Sequence, residues 1–272
     1  MVIPGALKRF LYLVGATNDK YNQDNCPMLV AALAYHSFFS IFPLLLFLIY
    51  IGSQLLSPSG VYEVLNSGLI EFLPTGGDTI SQVLSATTDL RGSIGLVGIV
   101  GLLWSASSVF TVLETALNRI WGARPRGFWR KRLVATVSIL VLSFLFLTSV
   151  TLGQFLPRLL SLIRLPELQW LGSLMSFLFL VFVLTIFYTA FPNRRVPRRP
   201  AILAGLVVGV SLLGARFLFD LFLNSTVINY GTVYGSLAWM VSLALWAYVV
   251  ATLFLLGAEF GSVLELEAKS AS

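Results

Sequence analysis

Apolar residues run through this chain in long stretches, and polar residues fall mainly in the gaps between them. Six stretches stand out, at 29–53, 94–117, 133–155, 168–191, 201–223 and 233–256. Each is near the roughly 20 apolar residues that cross a hydrocarbon core about 30 Å thick. In that medium the backbone must satisfy its own hydrogen bonds, so each stretch reads as a helix. The pattern predicts an all-α, polytopic membrane protein with six transmembrane helices. It divides into an N-terminal interfacial segment over 1–28, a membrane domain over 29–262 and a short tail over 263–272.

Shorter patterns fill two of the gaps. Leu7, Phe10, Leu11 and Val14 recur at helical spacing with Lys8 and Arg9 off that face, which predicts an amphipathic helix lying along the membrane surface. Lys8 and Arg9 before the apolar 10–16 also suit a signal peptide, but that stretch is short, and cleavage would put the Arg-rich gaps outside. Between spans one and two, Val61, Val64, Leu65, Leu69 and Phe72 mark one short helix, and Ile80, Val83 and Leu84 a second. Pro74, Gly76 and Gly77 separate them. Pro43 falls inside span one, where it removes a backbone hydrogen bond and predicts a kink.

Charge turns this pattern into a topology. Only 11% of residues are charged, and the formal net charge is +6. Fourteen of the eighteen basic residues lie before span one, between spans two and three, between spans four and five, or in the tail. Arg91, Arg158 and Arg164 lie in the other gaps, and Arg216 lies within span five. Short basic loops stay in the cytoplasm, so both termini are expected on the inner side. The segment 54–93 instead carries Glu63, Glu71, Asp78 and Asp89. Trp121, Phe128 and Trp129 interleave with the inner basic cluster as an aromatic belt would. The partners implied are membrane lipids, with anionic headgroups at the inner interface. Because topology accounts for the basic gaps, nucleic acid is not a partner.

Depth sorts the polar residues within spans. At 1.5 Å per residue, His36 sits about 11 Å into span one, with Tyr35 and Ser40 beside it. Arg216 lies about 22 Å into span five, roughly 8 Å short of the outer boundary, and Asp220 is one turn further out. Glu114 and Glu259 fall at the inner boundaries of spans two and six. Arg216 therefore reads as a ligand for an anionic group in a polar cavity, or as an ion pair with Asp220 that snorkels outward. Glu114 reads as a boundary carboxylate paired with Arg119 or solvated, against a proton or cation site. His36 could relay protons or be a satisfied buried donor. Ser105, Ser107, Ser108 and Thr111 on span two either serve helix packing and back-bonding to the chain or join these residues in a substrate track among spans one, two, five and six. Small residues at spacing four (Gly101/Ser105, Gly205/Gly209, Gly231/Gly235 and Gly257/Gly261) permit close helix approach within the chain, or a homo-oligomer face.

Catalysis lacks its parts. One histidine and one cysteine, Cys26, cannot form a usual metal cluster, and a single cysteine forms no intrachain disulfide. Nor is there an HExxH, GxSxG or P-loop pattern. Neither a metal nor a cofactor is expected.

The segment Ala31-Ala-Leu-Ala-Tyr-His-Ser-Phe-Phe-Ser-Ile-Phe-Pro-Leu-Leu-Leu46 resembles the opening signature of the BrkB/YihY family of bacterial inner-membrane proteins. Further resembling segments follow in order: Leu103–Ser107, Ala116-Leu-Asn-Arg-Ile-Trp121, Phe191-Pro-Asn193, Val233–Ala238 and Leu256-Gly-Ala-Glu259. The resemblance implies six spans, a role in serum resistance or virulence, and transport, with envelope lipids among the cargoes suggested. It implies no catalytic residues, and the family's old ribonuclease label is regarded as a misassignment. The expected function is a transporter or flippase-like protein for an anionic or amphiphilic envelope substrate. The alternative is a non-transporting envelope scaffold or assembly factor.

Overall fold

The computed structural model describes residues 5–55, 96–127, 170–224 and 238–270, together with 129–138 apart from 131, 132 and 135. The described residues form helices, turns and coil, with no strand among them. Six long helices follow in order: α1 (Gly5–Gln23), α2 (Cys26–Leu55), α3 (Leu96–Ile120), α4 (Trp170–Ala190), α5 (Arg198–Asn224) and α6 (Ala238–Ser270). Two stretches, Arg198–Leu223 and Met240–Ser270, are long and apolar enough to cross a membrane. The two short helices expected between spans one and two, and most of the expected third span, lie outside the described residues.

Local sequence sets the corners. Asn25 adopts a left-handed conformation (φ 52°) between α1 and α2. Its carbonyl accepts from the amides of Met28 and Leu29, opening α2, whose first turn holds Pro27. Gly122 (φ 61°) closes α3. Its amide bonds the Arg119 carbonyl at 3.1 Å, and the Ala123 amide bonds the Asn118 carbonyl at 2.7 Å. This paired closure favours glycine, which carries no Cβ to resist a positive φ.

Packing then follows α2 on α3, α6 on α2 and on α5, α4 on α5, and α1 along α6. Close approach depends on glycine at two of these contacts. A Cβ on Gly205 would come 3.1 Å from the Val181 carbonyl of α4, and one on Gly209 would come 3.1 Å from Val181 Cγ2. A Cβ on Gly257 would meet Val208 Cγ2 of α5 at 2.0 Å, and one on Gly261 would meet Ala204 Cβ at 3.1 Å. These two small-residue pairs thus serve packing within the chain. Tyr188, fully buried on α4, donates to the Phe254 carbonyl of α6 at 2.8 Å, tying the same three helices together. On the outside, α5 exposes Ile202, Leu206, Val210, Leu213, Phe217 and Leu221, an apolar stripe of the kind a membrane-facing helix presents.

Candidate functional site

Helix directions bring distant segments to one end of the assembly. There α1 and α3 end, α2 begins, α4 turns into α5, and the last turns of α6 pass by. The resembling segments around Asn118, Asn193 and Glu259 all gather at this end. So do Lys20, Arg126 and Arg194, one from each of three basic regions.

Two buried carboxylates organise it. Glu259 of α6 is fully buried. Its Oε2 receives Lys20 Nζ at 2.9 Å and its Oε1 receives the Cys26 thiol at 3.2 Å. The same Lys20 ammonium donates to Asp24 Oδ2 at 2.7 Å and to the Ile120 carbonyl at 2.8 Å. All three of its protons are therefore used. Burial alone pushes Lys20 down, but hydrogen bonds and charge from Asp24 and Glu259 outweigh it and hold the ammonium above its ordinary 10.5. Glu114 of α3 is likewise buried. Its Oε1 receives Arg126 Nη1 at 3.0 Å and Asn118 Nδ2 at 3.2 Å, while its Oε2 is buried without a partner. Arg126 also donates to the Phe191 carbonyl at 2.7 Å. Asn118 Oδ1 accepts from the Asn193 amide at 2.6 Å, so α3 is stitched to the corner between α4 and α5.

A third carboxylate, Glu265, pairs with Arg194 and with Lys269, the latter at 2.7 Å. Arg194 also donates to the Trp121 carbonyl at 3.0 Å and lies 5.8 Å over the Trp121 ring. Trp121 is 2% exposed and so is not a belt residue, whereas Trp129 is 78% exposed. The cause lies in α6: Gly261, lacking a Cβ, admits the indole, which sits 3.2 Å from where that atom would be.

The other residues singled out from sequence are dispersed. His36 is half-buried and meets Tyr35 edge-on at 5.5 Å; Tyr35 is exposed and Ser40 buried. Arg216 and Asp220 are both half-buried on α5. No ion pair or hydrogen bond joins the Arg216 side chain to Asp220 or to any other described residue. Glu114 pairs with Arg126 rather than Arg119. Pro43 lies inside α2, but its side chain, like those of Ser105 and Ser107, is outside the described residues. Sequence reasoning used Lys20, Arg126 and Arg194 only as topology markers. A usable signal was present: a buried carboxylate requires a partner, and Glu114, Glu259 and Glu265 lie on the side where the basic gaps gather. Among the described residues, no three of His, Cys, Asp or Glu converge as metal ligands.

The family model described as "Virulence factor BrkB" matches residues 17–272. The chain belongs to the BrkB family. Among curated relatives, a UPF0761 membrane protein of Pseudomonas paraeruginosa is 29% identical over 244 residues, covering 88% of this chain and 59% of the relative. A UPF0761 membrane protein of Alcanivorax borkumensis is 28% identical over 249 residues, covering 88% and 57%. One from Azotobacter vinelandii is 27% identical over 247 residues, covering 89% and 60%. This chain therefore spans somewhat over half the length of the BrkB relatives it matches. No solved structure matches it. It is a membrane protein of the BrkB family, and the names of its relatives indicate no enzymatic activity.

Proposed function

We propose that this protein is a six-span inner-membrane transporter, flippase-like in action, for an anionic or amphiphilic envelope substrate, with both termini inside. The topology is supported by where the helix ends fall. α1 and α6 finish at the end that gathers the basic residues, and α2 and α5 start there. Short basic segments are retained in the cytoplasm. The expected third span, over 133–155, completes the alternation.

Arg216 carries the transport reading. It sits inside an apolar stretch long enough to span, half-buried and without the Asp220 pair that would make it structural. An arginine at such depth is costly unless it faces a polar cavity or a charged ligand. We place His36, Tyr35 and Ser40 on the same route, with Glu114 and Glu259 at its inner end. The test is reconstitution of the full chain in vesicles with fluorescent anionic and zwitterionic lipid analogues. Wild type should accelerate translocation of the anionic analogue. Arg216→Gln should slow it by about tenfold or more, the loss of one charge-assisted contact. Equal rates for wild type and Arg216→Gln, or no translocation across a panel of anionic lipids, would remove the basis for this reading.

A scaffold role is favoured by a different observation: among the described residues, a polar network at one end links α1, α3 and α6. Co-purification of a stoichiometric envelope protein would support that reading.

A further inference from the structure

At the basic end, a cleft of about 310 Å³ opens between the end of α3, the end of α1 and the last turns of α6. Its walls include Arg119, Arg194 and Lys269 around a single carboxylate, Glu265. Lys20 and Asp24 also line it, with Lys20 shared between Asp24 and the buried Glu259, so the lining holds four cations and two carboxylates. The walls therefore carry positive charge in excess. The Arg119 side chain is exposed and makes no ion pair or hydrogen bond with a described residue. Trp121, also in the wall, has a buried indole N–H without a partner. An exposed, unpaired guanidinium beside two further cations suits an anion with several acceptor oxygens. The volume suits a headgroup-sized group.

We propose that this cleft binds a phosphate group, held by Arg119, Arg194 and Lys269. The phosphate is either the headgroup of an anionic lipid or a free phosphate ion. This inference does not rest on transport. Arg216 lies about 27 Å further along α5 from Arg198, so the two positions are separate.

The experiment uses the purified full chain at constant ionic strength. In detergent, inorganic phosphate is titrated against chloride and the shift in thermal unfolding is recorded, since a ligand that binds the folded state raises its midpoint. In parallel, nanodiscs of phosphatidylglycerol or phosphatidylcholine are compared for lipid retained after extraction. The variants are Arg119→Gln and Lys269→Gln, with Arg195→Gln as an exposed basic control outside the cleft. Arg119→Gln and Lys269→Gln should each weaken binding by about tenfold. Arg195→Gln should leave it unchanged. Binding of inorganic phosphate with that pattern assigns a free ion. Retention of phosphatidylglycerol alone, with the same pattern, assigns a headgroup. Phosphate behaving as chloride with no preference between lipids overturns the proposal. So does an Arg195→Gln effect equal to that of Arg119→Gln, because diffuse surface charge then explains it. If Arg119→Gln unfolds the chain, Arg119→Lys, which keeps the charge, provides the comparison.

Discussion

Lys20 spends all three ammonium protons on acceptors from three elements: Asp24 on its own loop, the Ile120 carbonyl of α3 and Glu259 of α6. Glu259 has little solvent to fall back on, so removing the lysine leaves a buried charge with only a thiol donor. Lys20→Met should therefore destabilise the protein by about 3 kcal/mol, the scale for breaking a buried pair from one side. Lys20→Met with Glu259→Gln should recover much of that loss. Thermal unfolding in detergent measures both. A loss below about 0.5 kcal/mol would put the pair among ordinary surface bridges. The pH dependence follows from the sign of the shift. A raised ammonium contributes fully below its ordinary 10.5 and loses its effect only as pH climbs through the higher folded value. The Lys20 ammonium should therefore stay charged across the neutral range, and any pH dependence there should come from its acceptors.

Helix contacts depend on backbone approach more than on side-chain bulk. A methyl on Gly257 would stand 2.0 Å from Val208 Cγ2, and valine in a helix has no free rotamer to yield. Gly257→Ala should push α5 from α6 and cost about 1–3 kcal/mol, the usual scale for overpacking. Gly214, on α5, has nothing within 4 Å of its would-be methyl. Gly214→Ala should be neutral or slightly stabilising, since alanine is the better helix former. Unfolding midpoints of the two variants, measured side by side, separate a packing effect from a propensity effect. Equal midpoints would mean that α5 and α6 do not meet at Gly257.

The whole molecule is ordered by which end each helix reaches. If the basic end faces the cytoplasm, a membrane-impermeant maleimide added outside should label a cysteine placed at Asp78 and spare one placed at Lys8 or Lys269. Cys26 is the only native cysteine and is fully buried, so its background should be low. Labelling of the Lys8 or Lys269 position in intact cells would reverse the proposed orientation.

The helical class was legible from composition and period alone, because a long apolar run in lipid has few other ways to satisfy its backbone. The α1 helix was legible from its i, i+3, i+4 pattern. The family was legible too, since short segments such as Ala116–Trp121 carry their resemblance without a structure. The partners of the boundary carboxylates were not legible. Depth placed Glu114 and Glu259 near an edge, but depth is a coordinate along one helix and says nothing of what stands beside it. Glu114 found Arg126 across a turn set by Gly122, and Glu259 found Lys20, 239 residues earlier in the chain. Trp121 shows the same limit: its aromatic neighbours suggested a belt, and a missing Cβ on Gly261 drew it inside. The sequence by itself determined which of the described segments are helical and where basic residues cluster, because both follow from local composition. Only the tertiary structure decided which charges meet, because pairing depends on which helix ends and turns are packed together, and those come from segments far apart in the chain.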